Sequence, residues 1–417
     1  RPADRGPGQG HPSETHAGDA DRRTGEGPRV STGCCTRDHL LGPTLIVIVG
    51  AGASGLAVAR QLQRRSLDSV VLEQASTGHV WAEHYDGLRL HTLKAVSALP
   101  CLGMPDRLPD FPSGPQVRDY LVEYRRHFDI EVREGVRVHS AQRDDRTWLL
   151  RTDAGDLRTP VLVAATGIWS RPVRPDIPGL SRFPGQVVHS ADYRNPAPFA
   201  GRRVLVIGAG NSGCEISAGL GGVAGSVSLS VRSNVLFVPR PDSAVRSRVG
   251  ASVLRLAPRR VASWLVDRVR HDHTDIGLPP PARHSAENYP VVGDELPDAV
   301  RTGKVEIVGG VRAFDGDEVR YDDGSSARID DVVLATGFRP ALDWLDDSAL
   351  RYSRTGTPVV DQYWRSVRDR RLVCVGFDYP NTEGWLQAIG RVSRQAAGGV
   401  HKTLRLLGGD VDPDASS

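Results

Sequence analysis

The chain has 417 residues, of which 39% are hydrophobic and 25% charged, with a formal net charge of +3. That length carries two or three domains with a substantial core, and so small a charge gives no ground for nucleic acid or a membrane surface as a partner. The five cysteines, Cys34, Cys35, Cys101, Cys214 and Cys374, form no C-x-x-C pair and no Cys/His cluster of zinc spacing, which excludes a dithiol reductase and a structural metal and points to a reducing compartment.

Residues 1–43 hold eight Gly and five Pro with few large apolar side chains. Such a stretch cannot bury enough surface to offset its ordering entropy, so it is expected to be a disordered tail, and no function is assigned to it. It carries no apolar run of signal-peptide type, and Arg22-Arg23 leads into no apolar segment. No stretch is long enough to span a bilayer, and a cytoplasmic location is expected.

From Leu45 the pattern becomes that of an α/β chain. The apolar run Leu45–Val49 precedes Gly50-Ala51-Gly52-Ala53-Ser54-Gly55 and a helix over about 53–65. In such a turn the first glycine permits the sharp bend and the second lets the backbone approach a pyrophosphate. The third allows close helix–strand packing, and the helix N-terminus supplies partial positive charge. Gly50, Gly52, Ser54 and Gly55 are therefore candidate cofactor contacts. The next strand, Ser69–Leu72, ends at Glu73, 18 residues past Gly55. A carboxylate there suits an adenosine ribose hydroxyl and repels a 2′-phosphate, although a surface glutamate is the other reading.

The pattern returns 158 residues later, where Val204–Ile207 precedes Gly208-Ala209-Gly210-Asn211-Ser212-Gly213. Gly208, Gly210, Asn211, Ser212 and Gly213 form the second candidate cradle. The strand 227–231 now runs into Arg232-Ser233, 19 residues past Gly213. A guanidinium and a hydroxyl in place of the acid fit a 2′-phosphate, with a solvated arginine as the alternative. The first site is thus assigned to FAD and the second to NADPH. Two echoing segments, Val161–Gly167 and Asp331–Gly337, each run through Ala-Thr-Gly to Arg-Pro. Each reads as a buried strand ending where the chain crosses between domains, so a second module is inserted into the first. Thr166, Gly337 and Trp81 are counted with the cofactor contacts. Residues 241–275 read as helical with a packing face of Val253, Leu254, Leu256, Val261, Trp264, Leu265 and Val266; a membrane-surface helix is the other reading. A strand at 372–375 precedes a final helix from about Trp385, whose N-terminus faces the flavin.

The segment Phe183-x-Gly185-x-x-x-His189-x-x-x-Tyr193, just before the second glycine turn, resembles the signature of flavin-containing monooxygenases; Tyr193 stands where the related Baeyer–Villiger enzymes usually have Trp. Tyr85-Asp86-Gly87-Leu88-Arg89-Leu90-His91, Val231-Arg232-Ser233 with Pro239-Arg240, and Trp264–Asp267 are similar to the YUCCA-type branch, plant enzymes that convert indole-3-pyruvate to auxin. The resemblance covers about residues 45–408. It implies an α/β fold of two Rossmann-like dinucleotide domains: tail 1–43, FAD domain 44–172, NADPH domain 173–330, resumed FAD domain 331–410 and tail 411–417.

The activity that the resemblance implies is an NADPH- and FAD-dependent monooxygenation through a flavin C4a-peroxide. Oxidative decarboxylation of an aryl 2-oxo acid is the leading expectation, with N- or S-oxygenation of a small metabolite second and Baeyer–Villiger oxidation third. A catalytically inactive nucleotide-binding scaffold is the non-enzyme alternative. The partners are then a small molecule and O2, and a homodimer is left open. His91 stands where many relatives place an Asn near the flavin's reactive carbon, and it is a candidate catalytic residue or an ordinary packed histidine. Asn211 positions the nicotinamide half, and His189 braces the hinge rather than acting as a base. A 2-oxo acid needs a cation for its carboxylate, and Lys94 and Arg240 are the candidates, unless they are solvated surface groups.

Overall fold

The computed structural model of the chain describes residues 45–232, 235–245, 249–250, 253, 261, 264–265, 268, 271–280, 290–377 and 385–408. All of these lie in the unit Leu40–Ser417. The tails 1–43 and 411–417, Ser233, and Leu254, Leu256 and Val266 lie outside the described residues.

Two five-stranded parallel sheets carry the fold. In the first, the strand Ile46–Val49 lies between Ser69–Glu73 and Leu162–Ala164, with Val132–Glu134 and Leu372–Cys374 at the edges. In the second, Arg203–Ile207 lies between Ser226–Ser230 and Asp331–Leu334, with Glu306–Val308 and Gln186–His189 outside. Strand for strand the two orders correspond. Apart from the exposed Arg203 at the start of one, the central strands are buried Val, Ile and Leu, as sheets covered on both faces require. Three-stranded antiparallel sheets accompany each module, 138–159 in the first and 311–328 in the second.

This topology corrects one expected boundary. The strand Asp331–Leu334, assigned above to the resumed FAD domain, pairs in parallel with Arg203–Ile207 and with Gln186–His189. It is the counterpart of Leu162–Ala164, which pairs with Ile46–Val49. The chain leaves the second module only after Gly337, where Phe338–Arg339 pairs antiparallel with Arg171–Pro172, so that the outgoing and returning crossovers form one ribbon. The edge strand Leu372–Cys374 then completes the first sheet.

Helix Ala53–Gln63 follows the first glycine turn and packs on the long helix Trp385–Gly408; helix Asn211–Leu220 follows the second turn. Of the expected packing face in 241–275, Val253, Val261 and Trp264 are exposed and Leu265 is half-buried, while Leu254, Leu256 and Val266 lie outside the described residues. Ile216, Leu220, Leu278, Leu296 and Ala299 belong to the core of the second sheet. No helix among the described residues is long and apolar enough to cross a membrane.

Candidate functional site

Both glycine turns are built alike at atomic level. Gly50 and Gly208 each hold φ at +107°, a left-handed conformation that side chains disfavour. A Cβ on Gly55 would lie 2.0 Å from the Gly50 carbonyl oxygen, and one on Gly213 would lie 1.8 Å from that of Gly208. Around Gly52 and Gly210, by contrast, a Cβ would meet nothing within 4 Å. The two middle glycines therefore face open space, and the helices beginning at Ala53 and Asn211 have no side-chain cap on their first amides. Uncapped amides beside open space are what an incoming diphosphate needs.

A cavity of about 590 Å³ extends from the first turn. Of the residues expected to contact the first cofactor, Gly50, Gly52, Ser54, Glu73, Trp81 and Thr166 line it and Gly55 does not. Thr166 Oγ1 is buried without a partner, an orphaned hydroxyl on the wall that a bound dinucleotide would satisfy. Its counterpart Thr336 instead donates to the Val173 carbonyl. Glu73 accepts from the Ala51 amide at 2.8 Å and from the Ala75 amide at 3.0 Å, binding the strand end to the turn. Leu386 and Ile389 bring the first turns of the long helix to the same wall, together with His84. The residues present therefore fit a dinucleotide at the first turn, adenosine end at Glu73.

At the second turn Arg232 is exposed, with its stem beside Gly310, where the strand Glu306–Val308 ends. Asn211 departs from its expected role. Its Nδ2 donates to the Pro290 carbonyl at 2.9 Å and its Oδ1 accepts from the Val292 amide at 3.2 Å, so both ends of the amide hold the 290–292 backbone. Gly337, with φ at +85°, turns the chain out of the second sheet into the crossover and does not line the cavity.

His189 is fully buried at the end of its strand, level with Leu334. Its Nδ1 accepts from the Ala191 amide at 3.1 Å, and its ring meets Phe338 of the crossover edge-on at 5.1 Å. Burial, reinforced by the Arg174 charge, holds its pKa below the ordinary histidine value, which suits a neutral brace. Tyr193, four residues on, packs between Tyr85 and Phe199.

His91 is not on the cavity wall. Its Nε2 lies 2.5 Å from Glu215 Oε1 on the helix of the second module, and Tyr85 donates its hydroxyl to Glu215 Oε2 at 2.8 Å. Nothing in the sequence singles Glu215 out, since a lone acid on a helix is ordinary. Of the two candidate cations, Lys94 donates its ammonium to the carbonyls of Asp106, at 2.8 Å, and Leu108, so it pins a loop. Arg240 is paired with Glu295 and lies over the Phe111 ring at 5.2 Å.

The fold also brings His271, His273 and Asp294 within 4.8 Å of one another, a grouping that linear spacing does not reveal. The Arg301 guanidinium sits 3.3 Å from His273 Nδ1, a fixed positive charge that opposes a bound cation there.

The pattern of the flavin-binding monooxygenase-like family matches residues 44–377. A probable indole-3-pyruvate monooxygenase of Arabidopsis thaliana, YUCCA8, is 34% identical over 342 residues, 75% of this chain and 79% of its own. A flavin-containing monooxygenase from Stenotrophomonas maltophilia superposes with a TM-score of 0.67 at 25% identity, over 86% of this chain and 98% of its own. Cyclohexanone monooxygenase from Rhodococcus sp. Phi1, solved with NADP+ bound, has a TM-score of 0.64 at 19% identity, over 87% of this chain and 85% of its own, and shares the fold.

Proposed function

Because the chain belongs to the flavin-binding monooxygenase-like family, we propose that its reaction is the oxidative decarboxylation of an aryl 2-oxo acid such as indole-3-pyruvate. FAD and NADPH are its cofactors, and it is an oxidoreductase. The observation that carries the substrate reading is the similarity to indole-3-pyruvate monooxygenases over three quarters of the chain. In the reaction one atom of O2 enters the new carboxylate and the other leaves as water. The 2-oxo acid loses CO2, and NADPH supplies the two electrons.

When bound, the flavin takes hydride from NADPH and reacts with oxygen, chemistry that no side chain provides. The chain's own residues do the rest. The open backbone at Gly52, the uncapped amides from Ala53 and the Thr166 hydroxyl bind the flavin dinucleotide, with Glu73 at its ribose. Gly210, Ser212 and the helix they begin receive the NADPH diphosphate, and Arg232 takes the 2′-phosphate. Trp81, Leu386 and Ile389 line the flavin cavity with apolar surface and exclude water from it. His189, neutral and buried beneath the crossover, keeps the two modules aligned; Asn211 shapes the cofactor cleft by holding residues 290–292. Lys94 is committed to carbonyl groups and Arg240 to Glu295, so a substrate carboxylate would bind Arg240 only by displacing Glu295; the Phe111 ring beside it is a surface for an aryl group.

The test uses the purified yellow protein. Aerobic NADPH consumption is followed with indole-3-pyruvate, phenylpyruvate, an amine and a sulfide, with CO2 measured in parallel. Consumption stimulated by the 2-oxo acids, with one CO2 released per NADPH, supports the reading. Stimulation by the amine or the sulfide alone, without CO2, overturns it.

A further inference from the structure

A polar group around Glu215 lies outside the flavin cavity and joins the two modules. The two carboxylate oxygens are shared between Tyr85 Oη at 2.8 Å and His91 Nε2 at 2.5 Å, residues 130 and 124 positions away in the chain. The side chains of His91 and Glu215 are each only 19% exposed, and Tyr85 is 6% exposed. Ser212, in the first turn of the same helix, is among the groups that act on the Tyr85 phenol. Burial first, and the Glu215 charge second, push the Tyr85 phenol far above its ordinary range, so it remains a donor. On its other side Tyr85 meets His84, a residue of the flavin cavity wall, edge-on at 6.4 Å. A continuous chain of contacts thus runs from the flavin cavity to the first turn of the NADPH helix.

Charge makes this arrangement more than a strut. Glu215 lies four residues past Asn211, the first residue of that helix, so it is roughly 6 Å along the axis from the turn that binds the diphosphate. A partly buried carboxylate at that depth repels an incoming diphosphate unless donors compensate it. Its two donors both come from the other module.

We propose that Glu215 is a charged positioning latch: it seats the flavin-side loop Tyr85–His91 on the NADPH helix, and Tyr85 and His91 in return mask its charge from the NADPH diphosphate. NADPH affinity therefore depends on the flavin module being correctly docked, which links the arrival of the reductant to the geometry of hydride transfer. The proposal rests on the second glycine turn being the NADPH site.

The experiment is a pair of variants and their combination, each loaded with FAD and followed by steady-state kinetics and by anaerobic bleaching of the flavin with NADPH. Tyr85→Phe removes one of the two donors and leaves the acid with His91 alone; the expected result is a rise of about fivefold or more in KM for NADPH, with flavin content unchanged. Combining it with Glu215→Gln removes the charge as well. The double variant is then expected to have a lower KM for NADPH than Tyr85→Phe alone. A passive structural link also allows that order, so Glu215→Gln alone decides: it keeps the side chain's shape and removes only the charge, and the latch predicts a KM for NADPH no higher than wild type, whereas a KM raised as in Tyr85→Phe overturns it. A double variant as impaired as Tyr85→Phe or worse, or a Tyr85→Phe enzyme with unchanged KM, overturns the proposal. His91→Asn, alone and with Glu215→Gln, repeats the comparison through the other donor if the phenylalanine variant is unstable. Wild-type flavin that NADPH cannot bleach would instead overturn the cofactor assignment of the second turn.

Discussion

The Glu73 carboxylate accepts a hydrogen bond from the Ala51 amide at 2.8 Å, so the acid that ends one strand holds the glycine turn that ends its neighbour. The Ala75 amide on its other oxygen fixes the carboxylate's orientation toward the cavity. Hydrogen bonds to a charged acceptor contribute about 1.5–3 kcal/mol. Replacing Glu73 with Gln keeps the shape and removes the charge, so FAD affinity is expected to fall by roughly tenfold or more. Flavin fluorescence released on dilution measures this. Retention equal to wild type would show that Glu73 serves only its own strand.

The glycine pairs predict a division of labour between the turns. A methyl group on Gly55 would collide with the Gly50 carbonyl at 2.0 Å, and one on Gly213 with the Gly208 carbonyl at 1.8 Å. Neither neighbour is a flexible side-chain end, so the backbone itself must move, at a cost of about 1–3 kcal/mol or more. Gly55→Ala is expected to yield protein with little bound flavin. Gly213→Ala is expected to keep the yellow colour and to lose NADPH oxidation. Equal loss of flavin from both would contradict the assignment of the turns.

Arg232, proposed to take the 2′-phosphate, is exposed just past the strand Ser226–Ser230. Arg232→Ala is expected to raise KM for NADPH by about tenfold, the scale of one charge-assisted contact, and to leave KM for NADH nearly unchanged. Parallel changes for the two cofactors would remove the phosphate role.

His189 carries a pH prediction. Burial and then Arg174 lower its pKa in the folded protein, whereas the unfolded chain titrates near 6.5. The unfolded state therefore binds the extra proton first on acidification. The stabilisation is complete above about pH 6.5 and is lost as pH falls through the depressed folded value. His84 and His273 are shifted in the same direction, chiefly by burial, and add to the effect. The melting temperature is expected to drop between about pH 7.5 and 5.5, and less steeply in His189→Gln. An identical slope in that variant would place the acid sensitivity elsewhere. His189→Ala is also expected to slow NADPH-dependent turnover while the flavin stays bound, since the ring packs on the crossover at Phe338 and not on the cavity wall.

Reading in sequence order reaches as far as local physics does. Both glycine turns, the strands before them, and the acid and the arginine 18 and 19 residues beyond them lie within single strand–turn–helix units, where spacing dictates geometry. Thr166 and Trp81, expected as cofactor contacts, line the cavity beside the first turn. What the local pattern does not carry is which distant strand pairs with which, and the strand Asp331–Leu334 went to the wrong module for that reason: parallel pairing with Arg203–Ile207 leaves no mark in either segment alone. Charge partners are non-local in the same way. Composition shows Lys94 and Arg240 as two available cations, and only the folded chain commits one to carbonyl groups and the other to Glu295. Glu215 is the extreme case. It looks like any helical acid until tertiary structure brings Tyr85 and His91 to it across more than a hundred residues of chain. Two strand–glycine turn–helix units are legible from the chain because each is a local device; how they are joined depends on groups that meet only after both sheets have formed.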